Sequence, residues 1–167
     1  LLTPSAPSSN FAPAFATFLE RFPVPAGHVV SSYAPDESPE ARAYSGCRFA
    51  LTGAYGTETR VVFRAAKVTP TKAGLFVTLW KRDDSGITRP YSVEDGVDEF
   101  WVVTETPNGY GYFAFTAQSL VDSGVLASSA KPGKRGFRLY TPWDTGLNAS
   151  ATKAWAWQRK FFTALER

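Results

Sequence analysis

The residues best equipped for chemistry lie between positions 60 and 82, RVVFRAAKVTPTKAGLFVTLWKR. This stretch carries Arg60, Arg64, Lys67, Lys72, Lys81 and Arg82 and no carboxylate. Charges of one sign, crowded beside two apolar runs, call for a negative counterpart. Thr69 and Thr71 place hydroxyls and backbone N–H groups between Lys67 and Lys72, the mixture of donors that contacts nucleic-acid phosphates. Lys134, Arg135 and Arg138 offer a second contact group. Trp143, Trp155 and Trp157 offer rings on which bases stack. Each candidate also has a plainer reading. Lys81 and Arg82 suit a solvated strand end, Trp155 suits helix packing, and Trp143 stands evenly between stacking and packing.

Other chemistries find little here. His28 is the one histidine and sits among turn residues, so a Ser-His-Asp or Cys-His arrangement would depend on it alone. Cys47, the one cysteine, falls on an inward position of an alternating segment and reads as core. A single cysteine excludes an internal disulfide and a cysteine-based zinc cluster. Gly133-Lys134-Arg135-Gly136 lacks the frame of a phosphate loop.

The elements that must position these residues follow from periodicity. Phe11, Phe15, Phe18, Leu19 and Phe22 recur at helical spacing, with Asn10 as expected cap and Pro13 in the first turn; Pro23 and Pro25 end the helix. Residues 23–40 read as a loop, with a short apolar piece at 28–30. Cys47, Phe49 and Leu51 alternate with Arg48, Ala50 and Thr52, which predicts a half-buried strand. The runs 61–66 and 75–80 are apolar on both faces, as central strands are, and the turn between them predicts a central hairpin. Ser92 is expected to cap one helical turn. Strands are expected at 100–104 and 110–115, joined at Pro107-Asn108-Gly109. A helix at 117–123, a strand at 137–140 and a final helix at 149–165 complete the order. The expectation is an α/β (α+β) fold: a single domain over 10–167 built on one mixed β-sheet flanked by helices, with a loose Pro/Ser-rich arm at 1–9.

Length and composition agree. A chain of 167 residues with 44% hydrophobic and 15% aromatic content closes one proper core. No apolar run approaches the roughly 20 residues that span a bilayer, so no membrane partner is expected. The opening LLTPSAPSSN has neither basic nor long apolar signal regions, and a reducing, cytoplasmic setting is expected. Net charge is only +3, but residues 59–82 carry six basic and no acidic groups, and residues 123–167 carry eight basic and two acidic. Between them, residues 83–122 carry one basic and eight acidic groups. Either the two basic blocks fold into one positive face for a nucleic acid, or the acidic block neutralises them on a mixed surface.

Four segments resemble the MepB-like family: YSGCRF at 44–49, FRAAKVTPTKAGLFVTLWKR at 63–82, GKRGFRLYTPWD at 133–144 and KAWAWQRKFF at 153–162. The resemblance extends over nearly all of the chain after about residue 35. It implies a fold similar to restriction-endonuclease-like PD-(D/E)XK proteins and suggests nucleic-acid handling, with DNA as the expected partner. A nuclease of that type holds Mg²⁺ through at least two carboxylates and sets a lysine beside them in an acid-X-Lys pattern. Here Ala65-Ala66-Lys67 has the lysine and lacks the acid. Glu40 and Asp144 are the carboxylates that would have to meet Lys67 for catalysis. The expectation is therefore a DNA-binding protein with little or no catalysis and no cofactor. The alternatives are a divergent nuclease using Glu40, Lys67, Asp144 and Mg²⁺, and a module for a small anionic ligand or a protein partner.

Overall fold

A computed structural model describes residues 11–36 and 38–167. The chain forms the expected α+β fold around a main sheet of six strands, in the order β1-β2-β3-β8-β9-β11. These strands are β1 (Val29–Pro35), β2 (Cys47–Thr52), β3 (Glu58–Ala65), β8 (Glu99–Thr106), β9 (Gly109–Thr116) and β11 (Phe162–Leu165). All neighbours are antiparallel except the central pair β3 and β8, where Phe63 lies opposite Trp101. A parallel pair needs a long crossover. That crossover, residues 66–98, carries β4 (Lys67–Val68), β5 (Leu75–Thr78) and the ribbon β6 (Trp80–Arg82) with β7 (Thr88–Pro90).

Side-chain alternation gives the main sheet two apolar faces. Phe49, Val61, Phe63, Trp101 and Val103 point one way and meet Phe15 and Phe18 of α1 (Pro13–Arg21) and its C-cap Phe22. Val62, Phe100, Val102, Phe113 and Phe115 point the other way. They are covered by a three-stranded sheet, β10-β5-β4, with β10 at Gly136–Leu139, and by Leu120 of α3 (Ala117–Asp122). The helix α4 (Ala149–Gln158) runs beside β10. Its Gln158 is fully buried: Oε1 accepts from the Tyr140 N–H at 3.1 Å and Nε2 donates to the Arg138 carbonyl at 3.0 Å. One side chain thus closes a strand edge that would otherwise be open.

Several local expectations change. The runs 61–66 and 75–80 do not pair as the central hairpin: β3 takes β2 and β8 as partners, and the turn between the runs closes only the short hairpin of β4 with β5, which also takes β10 in the smaller sheet. Part of the supposed loop is β1, paired with β2 through a bulge between Ser31 and Ala34. The final helix stops at Gln158, and Phe162–Leu165 pairs with β9 as an edge strand. The first helix starts at Pro13 with Ala12 as N-cap; the expected cap Asn10 and the expected arm lie outside the described residues. Ser92 does cap the turn Val93–Asp95, within a capping box. Among the described residues no helix is long and apolar enough to cross a membrane.

Candidate nucleic-acid interface and polar cleft

The smaller sheet has one buried face and one open face. Leu75, Val77, Phe137 and Leu139 point into the core, so the residues between them point outward. Lys67 lies directly opposite Phe76, and Phe76 directly opposite Arg138, which sets Lys67, Phe76 and Arg138 in one row across three strands. Adjacent strands are about 4.8 Å apart, so the backbone positions of Lys67 and Arg138 lie roughly 10 Å apart, one on each side of Phe76. Phe76 lies over Gly136, where a Cβ would sit 2.7 Å from the ring and 2.8 Å from the Val77 carbonyl oxygen. Glycine is required there by the approach of that backbone carbonyl. The Lys67 ammonium stands 4.4 Å from the centre of the Tyr44 ring, a cation–π contact that leaves its donors available.

Arg138 has a second task. Its Nε and Nη2 donate to the Ala73 carbonyl at 3.2 and 2.8 Å, and Nη2 donates to Thr69 Oγ1 at 2.7 Å. The Thr69 hydroxyl donates to the Lys72 carbonyl at 3.5 Å. Arg138 therefore straps the turn that carries the exposed Thr71 and Lys72. Five residues expected to meet phosphate, namely Lys67, Thr69, Thr71, Lys72 and Arg138, come together here. Thr69 and Arg138 act largely by holding the turn.

Four other expected contacts are occupied. Arg64 is 2% exposed, with Nη2 donating to Asp36 at 3.0 Å and Nη1 to the Phe63 carbonyl at 2.9 Å. It has no surface to offer a phosphate. Lys81 donates to Asp95 at 3.2 Å, and Arg82 donates to Glu40 at 3.3 Å and to the Gly86 carbonyl at 2.9 Å. Arg135 donates to the Thr88 carbonyl at 2.9 Å and so ties β7 to the start of β10. Lys134 is exposed beside it.

Lys81, Arg82 and Asp95 wall a polar cleft of ≈ 740 Å³ over the main sheet, with Arg48 and Val62 on its floor and Trp80 and Tyr91 at its side. A smaller recess of ≈ 320 Å³ continues from it past Arg60. Asp95 is the hub. It takes two hydrogen bonds from Arg89, at 2.7 and 3.1 Å, one from Lys81 and one from the Ser92 N–H at 2.7 Å. Burial alone would raise its pKa, but the bonds from Arg89, the Ser92 N–H and Lys81 outweigh that and hold it down at about 2.

The three residues weighed for catalysis take separate partners. Glu40 accepts from Arg82, Lys67 lies over Tyr44, and Asp144 accepts from the Thr141 N–H at 2.7 Å and hydroxyl at 3.2 Å. Ala65 ends β3 in the main sheet while Lys67 opens β4 in the smaller one, so Ala65-Ala66-Lys67 does not lie on one strand. Among the described residues no group of three His, Cys, Asp or Glu side chains converges to hold a metal ion. Burial pushes the Cys47 thiol pKa well up, which leaves it a protonated core group. His28 Nδ1 lies 3.1 Å from the carbonyl of Ala26, two residues before it in the turn.

Residue-by-residue reading of the sequence missed Tyr44 and Phe76. Phe76 stands in a run, Leu75–Trp80, where Thr78 alone marks its face as the outward one.

A family model described as MepB-like matches residues 38–164 of the chain. A solved crystal structure of MepB is similar at 32% identity and a TM-score of 0.74, with 83% of this chain and 88% of that chain covered. No curated protein matches the chain.

Proposed function

The chain belongs to the MepB-like family, and on that premise we propose that it binds single-stranded nucleic acid on the open face of the smaller sheet, without a hydrolytic step. The observation that carries this reading is the cross-strand row Lys67–Phe76–Arg138. A half-exposed ring between two cations on a flat sheet takes a base by stacking and its flanking phosphates by charge. Lys72 and Thr71, on the strapped turn, extend the phosphate contacts. A duplex hides its base faces, so this arrangement favours an unpaired strand.

The absence of hydrolysis is supported by the state of the acids. Asp36, Glu40 and Asp95 are each already ion-paired, with Arg64, Arg82 and Lys81 with Arg89. Val62, on the cleft floor near Asp36, offers no ligand to a hard cation.

Fluorescence anisotropy with a labelled single-stranded DNA, the matching RNA and the duplex tests the reading. Affinity for the single strands should fall steeply with salt, with a slope of about −0.7 per phosphate neutralised. Lys67→Ala with Lys72→Ala should reduce that slope by about 1.4. Phe76→Ala should cost about 1–3 kcal/mol of binding at unchanged slope. Salt-independent binding, or equal affinity for the duplex, would sink the proposal. Mg²⁺- or Mn²⁺-dependent cleavage lost in Glu40→Ala would instead establish the nuclease alternative.

A further inference from the structure

A second group of the same make-up lies at the C-terminal end of α4. Lys153 and Trp157 stand at i and i+4 on one side of the helix, and Lys160 follows in the 3-10 turn Arg159–Phe161 that continues it and lines the same groove. They line a groove of ≈ 650 Å³ whose opposite wall is α3, and Lys134 stands at the same groove. The two lysines thus flank Trp157 along the chain, as Lys67 and Arg138 flank Phe76 across the smaller sheet.

The groove walls do not match each other. Trp157 leans one edge on Phe115, with ring centres 5.5 Å apart, and is half-buried. The α3 wall opposite is polar, formed by Gln118, Ser119 and Asp122. An indole facing a polar wall is not a closed core contact; it leaves room for a flat ring that also carries charge. Asp122 is the one acid of the groove, and Gln118 donates to it at 2.8 Å. The Ser119 and Ser123 hydroxyls donate to the Thr116 and Leu120 carbonyls. Among the described residues none of Lys134, Lys153 and Lys160 is in an ion pair; the Lys160 ammonium lies 5.6 Å from the centre of the Phe161 ring, a cation–π contact that leaves its donors available. The donors left over are cationic, so the groove suits an anion.

Lys134 connects the two groups. It lies four residues before Arg138, just ahead of β10, a distance of about 13 Å along an extended chain. Resting on the single-strand reading above, we infer that the α3–α4 groove is a second stacking subsite for the same strand. The strand leaves the sheet face past Lys134 and sets a further base against Trp157, with phosphates at Lys153 and Lys160.

Oligo-dT of about four and about fifteen nucleotides, within the range of single-strand site sizes, separates the possibilities. The wild type should bind the long oligomer more tightly than the short one. Lys153→Ala with Lys160→Ala, both exposed, should remove about tenfold of that gain and lower the long-oligomer salt slope by about 1.4. Trp157→Phe should keep most of the gain, whereas Trp157→Ala should lose it. A wild type with no gain in affinity with length, or a lysine double variant that keeps the full gain and slope, overturns the second subsite. If Lys67→Ala with Lys72→Ala still weakens both oligomers in that case, the sheet-face reading stands alone. A wild type that binds neither oligomer ends both.

Discussion

Gly109 lies so close beneath Trp143 that a Cβ on it would sit 2.4 Å from the indole. Phe162 holds the other side of the same ring, edge-on at 5.7 Å between centres. Trp143 therefore packs the turn after β10 against the β8–β9 hairpin and the edge strand β11, and the even choice between stacking and packing resolves toward packing. Trp143→Ala should destabilise the fold by about 3 kcal/mol in urea melts, with oligonucleotide affinity of the folded protein unchanged. Gly109→Ala, which overfills the same contact, should cost about 1–3 kcal/mol.

The Arg64–Asp36 pair predicts an asymmetry between variants. Arg64 is buried beneath the segment that joins β1 to β2, with its guanidinium carbon 3.1 Å from where a Cβ on Gly46 would lie. Asp36→Ala leaves a buried charge unpaired and should cost about 3–5 kcal/mol, toward the low end because Asp36 is partly exposed. Arg64→Met together with Asp36→Ala should recover much of that loss. Equal stability of the single and double variants would show that the pair is not coupled.

Asp95 sets an acid limit on stability. Its pKa is held below the usual carboxylate range, so its contribution is fully present above the unfolded value near 4 and is lost as pH falls toward 2. The shift corresponds to about 2 kcal/mol. Chemical denaturation between pH 6 and about pH 2.5 should show this loss in the wild type, and Asp95→Asn should flatten that part of the profile.

Gln158 tests the edge of β10. Gln158→Leu fills the same space but abandons the Tyr140 N–H and the Arg138 carbonyl. Two orphaned buried groups should cost about 2–4 kcal/mol by thermal or urea unfolding. Because Arg138 also straps the turn that carries Lys72, the same variant should weaken oligonucleotide binding. Lys153→Ala, on the exposed side of that helix, should leave stability within about 0.5 kcal/mol.

By itself, the sequence determined the period of its apolar residues, and with it much of the fold. The phenylalanines of α1, the two-faced run in β3 and the turn at Pro107-Asn108 each carry their own local signal, and the structure places them as expected; the run at 75–80, read as a second two-faced central strand, instead forms β5 of the smaller sheet with one face open, and β6. The six cations of residues 60–82 were equally plain, as was their lack of a local acid. Which of them stay free was settled only by tertiary structure. Arg64, Arg82 and Lys81 are neutralised by Asp36, Glu40 and Asp95, which lie 28, 42 and 14 positions away along the chain, and Arg60 pairs with Glu58 just ahead of the stretch, while among the described residues Lys67 and Lys72 are in no ion pair. Strand partners are non-local in the same way. Residues 60–82 have the turn of a hairpin, yet β3 gains more by pairing between β2 and β8. Residues 162–165 continue a helical pattern, yet the open edge of β9 draws them into a strand. These long-range ion pairs and sheet edges take their energy from what the rest of the fold brings beside them, and no short window of sequence contains those partners.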